Sequence, residues 1–155
     1  MTLLVAGWVA IDEIETPFGR IGAALGGSAS SAALAAALFT DVRLLAVVGE
    51  DFPAEERRKL ERPNIDLAGL TVEHGLTSRW GGRYHYDMNT RDTLYTELGV
   101  NAAWNPKLPS GWDESSTAFL AAGDPVAQRD LIHSLTGPRL TMVDTIKYYI
   151  DTALD

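Results

Sequence analysis

Two near-continuous apolar runs, Leu3 to Val9 and Val42 to Val48, bracket a stretch of small residues from Ser28 to Phe39. A strand with no polar alternation has no face to offer water. It must be covered on both sides, and in parallel sheets helices do the covering. The intervening Ala, Ser and Leu supply one such helix, with high intrinsic propensity and an unusually small-residue surface. Ser28 is placed to cap it. Gly49 closes the second run, and Pro53 to Leu60 has helical composition, with Pro53 suited to a first turn. Strand, helix, strand, helix is the rhythm of a parallel α/β sheet.

Between these elements the pattern changes. Ile11 to Thr16 alternates, Pro17 and Gly19 break it, and Ile21 to Leu25 is short and apolar, which reads as a small hairpin. Leu70 to Asn101 is rich in Thr, Tyr, Trp, Arg and Gly and alternates at Ser78-Arg79-Trp80, Tyr84-His85-Tyr86 and Thr93 to Leu98. It reads as antiparallel strands with one face partly exposed. The α/β rhythm then resumes. Thr117 to Ala122 reads as a strand, and Asp124-Pro125 opens a helix running to about Leu135, with Asp as N-cap and Pro at the first helical position. Leu140 to Val143 reads as another strand, and Thr145 starts another helix.

Composition removes several function classes. The chain has 155 residues, enough for one domain with a core. It has no cysteine, so disulfides and thiolate metal sites are excluded. His74, His85 and His133 lack metal-ligand spacing, and no metal site is expected. A net charge of -8 argues against a broad nucleic-acid surface. No apolar run reaches the length of a membrane span, and the start at Met1 does not read as a signal peptide. A cytoplasmic location is the simplest expectation.

Three ordered segments resemble the ribokinase-like (PfkB) carbohydrate and nucleoside kinase family. They are Val5-Ala6-Gly7-Trp8-Val9-Ala10-Ile11-Asp12, then Gly26-Gly27-Ser28 with the small-residue helix behind it, then Leu44 to Phe52 with its Gly49-Glu50-Asp51-Phe52 turn. Gly99-Val100-Asn101-Ala102-Ala103 is a weaker fourth. The resemblance runs over essentially all of residues 1–155 but over only about the first half of a typical family member. It implies a three-layer α/β fold with a small antiparallel β lid from segments near 11–25 and 70–101, the C-terminal half being missing. It also implies ATP and Mg2+ as cofactors, with most of their binding residues outside this chain, a sugar or nucleoside as substrate, and pairing of two copies through the lid.

The resemblance assigns roles residue by residue. Asp12 matches the aspartate that grips substrate hydroxyls; a carboxylate can accept two such bonds, and bonds to a charged acceptor are strong. Its other reading is a turn aspartate leaving a strand. Gly26 and Gly27 match the pair that lies along the sugar, where the missing Cβ lets backbone approach a ligand. Ser28, Ser31 and Asn101 complete the substrate set, although ribokinases commonly carry Asn where Ser31 stands. Arg79, Trp80, Arg83, Tyr84 and Met88 are lid candidates, and any one of them can equally be sheet packing. Asp144 is either phosphate-proximal or a helix cap. Ala121-Ala122-Gly123-Asp124 imitates the tail of the family's anion-hole motif, but the preceding Asp-Thr is absent and a cap explains Asp124, so it is not the catalytic base. No catalytic residue is assigned to this chain.

Two functions follow from this reading. One is the substrate-binding portion of an ATP-dependent kinase acting on a sugar or nucleoside hydroxyl. The alternative is a non-catalytic module that binds a polyol or nucleoside, or serves assembly. A dinucleotide-binding oxidoreductase is disfavoured because no G-x-G-x-x-G follows the first strand.

Overall fold

The computed structural model describes residues 2–153. The chain runs through β1 (Thr2–Ala6), β2 (Ala10–Thr16), β3 (Gly19–Gly26) and α1 (Ser28–Ala36). Then come β4 (Asp41–Gly49), α2 (Ala54–Leu60) and the short strands β5 (Ile65–Asp66) and β6 (Leu70–Glu73). β7 (Arg79–Tyr84) and β8 (Arg91–Glu97) form a hairpin, followed by a 3-10 helix at Gly99–Ala103. β9 (Thr117–Leu120), α3 (Pro125–Ser134), β10 (Leu140–Val143) and α4 (Lys147–Thr152) follow.

The larger sheet is parallel, in the order β10-β9-β1-β4-β5, with β6 also on β4. Successive residues of β1 and β4 feed opposite faces. Val5, Leu44 and Ala46 pack with Ala29 and Ala33 of α1 and Leu60 of α2. Leu4, Ala6 and Leu45 pack with Leu131 of α3 and with Trp112 from the loop before β9. The result is three layers, and the α/β reading holds. Alanines on α1 let it lie close to the sheet, as its small-residue surface required.

The second sheet has the order β3-β2-β7-β8. It corrects the antiparallel expectation in part. β2 with β3 and β7 with β8 are antiparallel, but the central pair, β2 with β7, is parallel. Tight hairpins force antiparallel pairing only on consecutive strands. β7 arrives after an excursion through β4 to β6, and it enters the small sheet from the same end as β2. Leu70 to Glu73 is a second correction. These residues extend the large sheet, pairing Leu70 to Ala46 and Val72 to Val48, and so cover the far half of β4.

Helix ends differ from expectation in small ways. Ser28 is the first residue of α1, not its cap; Gly27, at φ 87°, holds the cap position. The helix ends at Ala36, short of Phe39. Pro53 stands just before α2. α4 begins at Lys147, so Thr145 is outside it. Asp124 does cap α3, its carboxylate accepting from the Val126 and Ala127 amides at 2.7 and 3.2 Å. No helix among the described residues is long and apolar enough to cross a membrane.

One carboxylate ties the two sheets together. Asp51, just past β4, accepts from the Thr77 amide at 2.7 Å and from Arg79 Nη2 at 2.8 Å. The Thr77 hydroxyl in turn accepts from the Gly49 amide at 3.0 Å. Partial burial pushes the Asp51 carboxyl up, but the bonds from Thr77 and Arg79 outweigh it and hold the group below its ordinary range. A lowered carboxyl pKa stabilises the fold above the unfolded value and loses that contribution as pH falls through the folded one. Asp51→Ala is therefore expected to cost about 1.5–3 kcal/mol, the range for bonds to a charged group. Hydrogen exchange should locate the loss in β7 and β8, with the β1 and β9 amides unaffected. Uniform loss across both sheets would show that Asp51 is not a local anchor.

Candidate functional site

The ends of the central strands create the site. After β1 the chain crosses to the small sheet through Gly7, Trp8 and Val9. A Cβ on Gly7, at φ 144°, would come within 2.8 Å of the Ala121 carbonyl oxygen, so this crossing requires glycine. The Trp8 amide donates to the Ala122 carbonyl at 3.0 Å, and the Trp8 carbonyl accepts from the Ala29 amide at 3.1 Å. The Ser28 hydroxyl accepts from the Ala122 amide at 2.8 Å. In this way the C-terminal ends of β1 and β9 meet the first turn of α1. Strand order reverses at β1, with β4 on one side and β9 on the other, and such a switch point leaves a crevice beyond the strand ends.

A cleft of about 690 Å³ occupies that crevice. Trp8, Gly27, Ser28 and Ala122 form its floor. Asp12, Ile14, Trp80 and Tyr84 of the small sheet form one wall, and Lys147, Tyr148 and Asp151 of α4 form another. α4 is held in place by Tyr149, which packs edge-on against Trp8 with ring centroids 5.9 Å apart.

Asp12 lines the cleft from the small sheet. It projects from β2 between Ala24 of β3 and Trp80 of β7. Gly26 is buried beside it, and a Cβ there would collide with the Asp12 carboxyl. Burial pushes the Asp12 pKa up to about 6, and no ion pair or hydrogen bond among the described residues offsets it. A half-buried, unsatisfied carboxylate lining a cleft is primed to accept hydrogen bonds from hydroxyls.

The structure thus brings Asp12, Gly27, Ser28, Ser31, Trp80 and Tyr84 together at one cleft, with Gly26 packed against the Asp12 carboxyl. It places the others elsewhere. Asn101 is buried, and its Nδ2 donates to the Ser78 hydroxyl at 2.6 Å at the root of the small sheet. Arg79 is bound to Asp51, and Arg83 pairs with Glu15 at 2.9 Å on the sheet's far face. Met88 lies in the β7–β8 turn at φ 54° and does not line the cleft. Asp144 is not a helix cap, since α4 starts at Lys147 after Ile146. Its backbone amide donates to Leu120 and its carbonyl accepts from Gln128.

Sequence reasoning missed Trp8, Arg91, Thr93 and the α4 wall. Trp8 was discoverable, because it follows the glycine that ends a central strand. Nothing in Lys147 to Asp151 signals a cleft, since its position depends on the packing of Tyr149 against Trp8. Among the described residues no group of three or more His, Asp or Glu side chains could hold a metal ion.

Comparison with known proteins gives this geometry a lineage. No protein-family model matches the sequence. A cytidine kinase of Thermococcus kodakarensis is 31% identical over 147 residues, covering 92% of this chain and 51% of that protein. The nucleoside kinase of Methanocaldococcus jannaschii, an archaeal member of the ribokinase family, superposes with a TM-score of 0.70 at 22% identity, covering 92% of this chain and 52% of the other. A ribokinase of Cryptococcus neoformans var. grubii, solved with ADP, gives 0.62 at 21% identity, covering 76% and 41%. The chain spans about half the length of the relatives it matches. In sequence and in its α/β fold the chain is similar to ribokinase-family kinases over about half of their length.

Proposed function

We propose that this chain is the substrate-gripping portion of an ATP-dependent kinase that phosphorylates a hydroxyl of a sugar or nucleoside. The observation that carries the reading is Asp12: a half-buried carboxylate without a partner, set against a wall of bare backbone at Gly26 and Gly27. A carboxylate accepts from vicinal hydroxyls, and the glycines leave room for a ring beside it. The Ser28 and Ser31 hydroxyls extend the polar rim. The small sheet acts as the lid that shields the reacting hydroxyl from water. Asn101 and Ser78 fix the lid's root and do not touch the substrate. Its outer strands, β3 and β8, offer free edges through which two copies pair.

The role of Asp12 makes two expectations. Its raised pKa means that the charged form is disfavoured in the fold, so stability falls as pH rises from the ordinary carboxylate value to about 6. Asp12→Asn should therefore raise stability at pH 7, by about 1 kcal/mol after solvent screening. It should also weaken binding of sugars and nucleosides by on the order of 10–100-fold, the effect of losing a charge-assisted bond. In the parent chain, affinity should fall as pH drops below about 6, where the carboxyl takes up its proton. Calorimetric titration and thermal melts across pH 5 to 8 read all three. Unchanged affinity in Asp12→Asn would overturn the assignment.

Gly26→Ala gives an independent check. Its methyl group would displace the Asp12 carboxyl, so binding should weaken in parallel with Asp12→Asn. Wild-type affinity in this variant would mean that the Asp12–Gly26 contact is not part of the grip. An ATP-consumption assay with a sugar and nucleoside panel tests the phosphoryl-transfer half. Substrate binding without ADP formation in the 155-residue chain supports a gripping portion, and substrate-dependent ADP formation would show a phosphate site within it.

A further inference from the structure

The lid wall of the cleft contains an arrangement that Asp12 alone does not explain. Trp80 is the register partner of Asp12 in the parallel β2–β7 pair, so both side chains rise from the same face. The six-membered part of its indole occupies the space that a side chain at Gly82 would fill. The ring therefore extends along β7 by up to two residues, about 6.6 Å at the rise of a parallel strand. That is roughly the offset between the hydroxyls of a ribose and the base it carries.

Arg91 completes the arrangement. Its guanidinium lies over the Trp80 ring, 5.5 Å from the centroid. The other arginines of this sheet are held by carboxylates: Arg79 by Asp51, Arg83 by Glu15, and Arg20 by Glu13 and Glu15. Arg91 forms no ion pair among the described residues, although the chain carries a net charge of -8. A planar cation thus rests on a planar aromatic inside the cleft, with Thr93 and Tyr84 beside it. A guanidinium donates hydrogen bonds and accepts none.

We propose that Trp80, seated over Gly82, is a stacking plate for a nucleobase, and that Arg91 reads the acceptor edge of that base, so that the cleft selects nucleosides over free sugars. The inference rests on Asp12 being the hydroxyl grip. With the sugar hydroxyls on Asp12, the base extends along β7 onto the indole. Arg91 leaves the ring face and donates to a keto oxygen or ring nitrogen, as arginine does with the acceptor edge of guanine. A free pentose reaches Asp12 but leaves the plate empty.

The experiment is titration of the chain with cytidine, inosine and D-ribose, using wild type, Trp80→Ala, Trp80→Phe, Arg91→Met and Asp12→Asn, each checked by circular dichroism and thermal melting. Both nucleosides should bind on the order of tenfold or more tighter than ribose, the scale of one base–aromatic stack. Trp80→Ala should remove most of that advantage and leave ribose affinity unchanged; Trp80→Phe should retain it. Arg91→Met should lower nucleoside affinity by about 5–100-fold, the scale of a lost edge contact, again without affecting ribose. Equal affinity for ribose and nucleosides, with Asp12→Asn weakening all of them, would overturn the plate while leaving the grip intact. Nucleoside affinity unchanged in both Trp80→Ala and Arg91→Met would overturn it as well. No binding of any of the three compounds would overturn the grip and the plate together.

Discussion

Everything in the site depends on one close crossing of backbone. Where β1 ends, the chain must pass against the end of β9 and then under the first turn of α1. Gly7 allows the first approach, because any Cβ would strike the Ala121 backbone. Gly27 allows the second, because at φ 87° a Cβ would strike the Trp8 carbonyl. The Trp8–Ala122, Trp8–Ala29 and Ser28–Ala122 bonds then lock the three segments together. A crossing this tight leaves no room for side chains at its centre. It leaves backbone polar groups and a crevice, the usual ligand position in an open α/β sheet.

The small sheet is mounted on that crossing from both ends. β2 and β3 leave and return through it, so Asp12 and Gly26 are neighbours by construction. β7 is held from the other side by the bonds of Asp51 and Gly49, at the end of β4, to Thr77 and Arg79. Two adjacent glycines then set the aromatic residues. Gly81 makes room for the Tyr95 ring and Gly82 for Trp80, and because side chains alternate along a strand the two rings lie on opposite faces. The cleft-facing side carries Asp12, Trp80 and Arg91. The far side carries the Glu13, Glu15, Arg20 and Arg83 ion pairs. Division of labour between the two faces follows from the period of two and needs no other cause.

Asp12 shows what burial in such a cleft does to a carboxylate. Burial raises its pKa, so the fold is less stable with the carboxylate charged than with a neutral group in its place. A stability-optimised chain would carry Asn or an apolar residue there. Asp51 shows the opposite case. Its bonds to Thr77 and Arg79 favour the charged form, and it serves as an anchor. Two aspartates near the same small sheet thus shift in opposite directions because one has partners in the fold and the other lacks them.

The sequence by itself determined the parallel α/β body, since uninterrupted apolar strands and a small-residue helix admit few other arrangements. It also determined the Asp124 cap and the strand at Leu140 to Val143. From the ordered motifs it placed Asp12 with Gly26 and Gly27; Asp12 and Gly27 line the cleft, and Gly26 packs against Asp12. Only the tertiary structure decided that β2 and β7 run parallel, that Leu70 to Glu73 joins the large sheet, and that Asn101, Arg79 and Arg83 are bonded to Ser78, Asp51 and Glu15. Only it could bring Arg91 over Trp80 and set Lys147 and Tyr148 against the cleft. The physical reason is range. Burial pattern and turn chemistry are properties of neighbouring residues and can be read locally. Pairing sense between distant strands, and the partner a charged side chain finds, depend on which segments meet after the chain has closed loops of tens of residues.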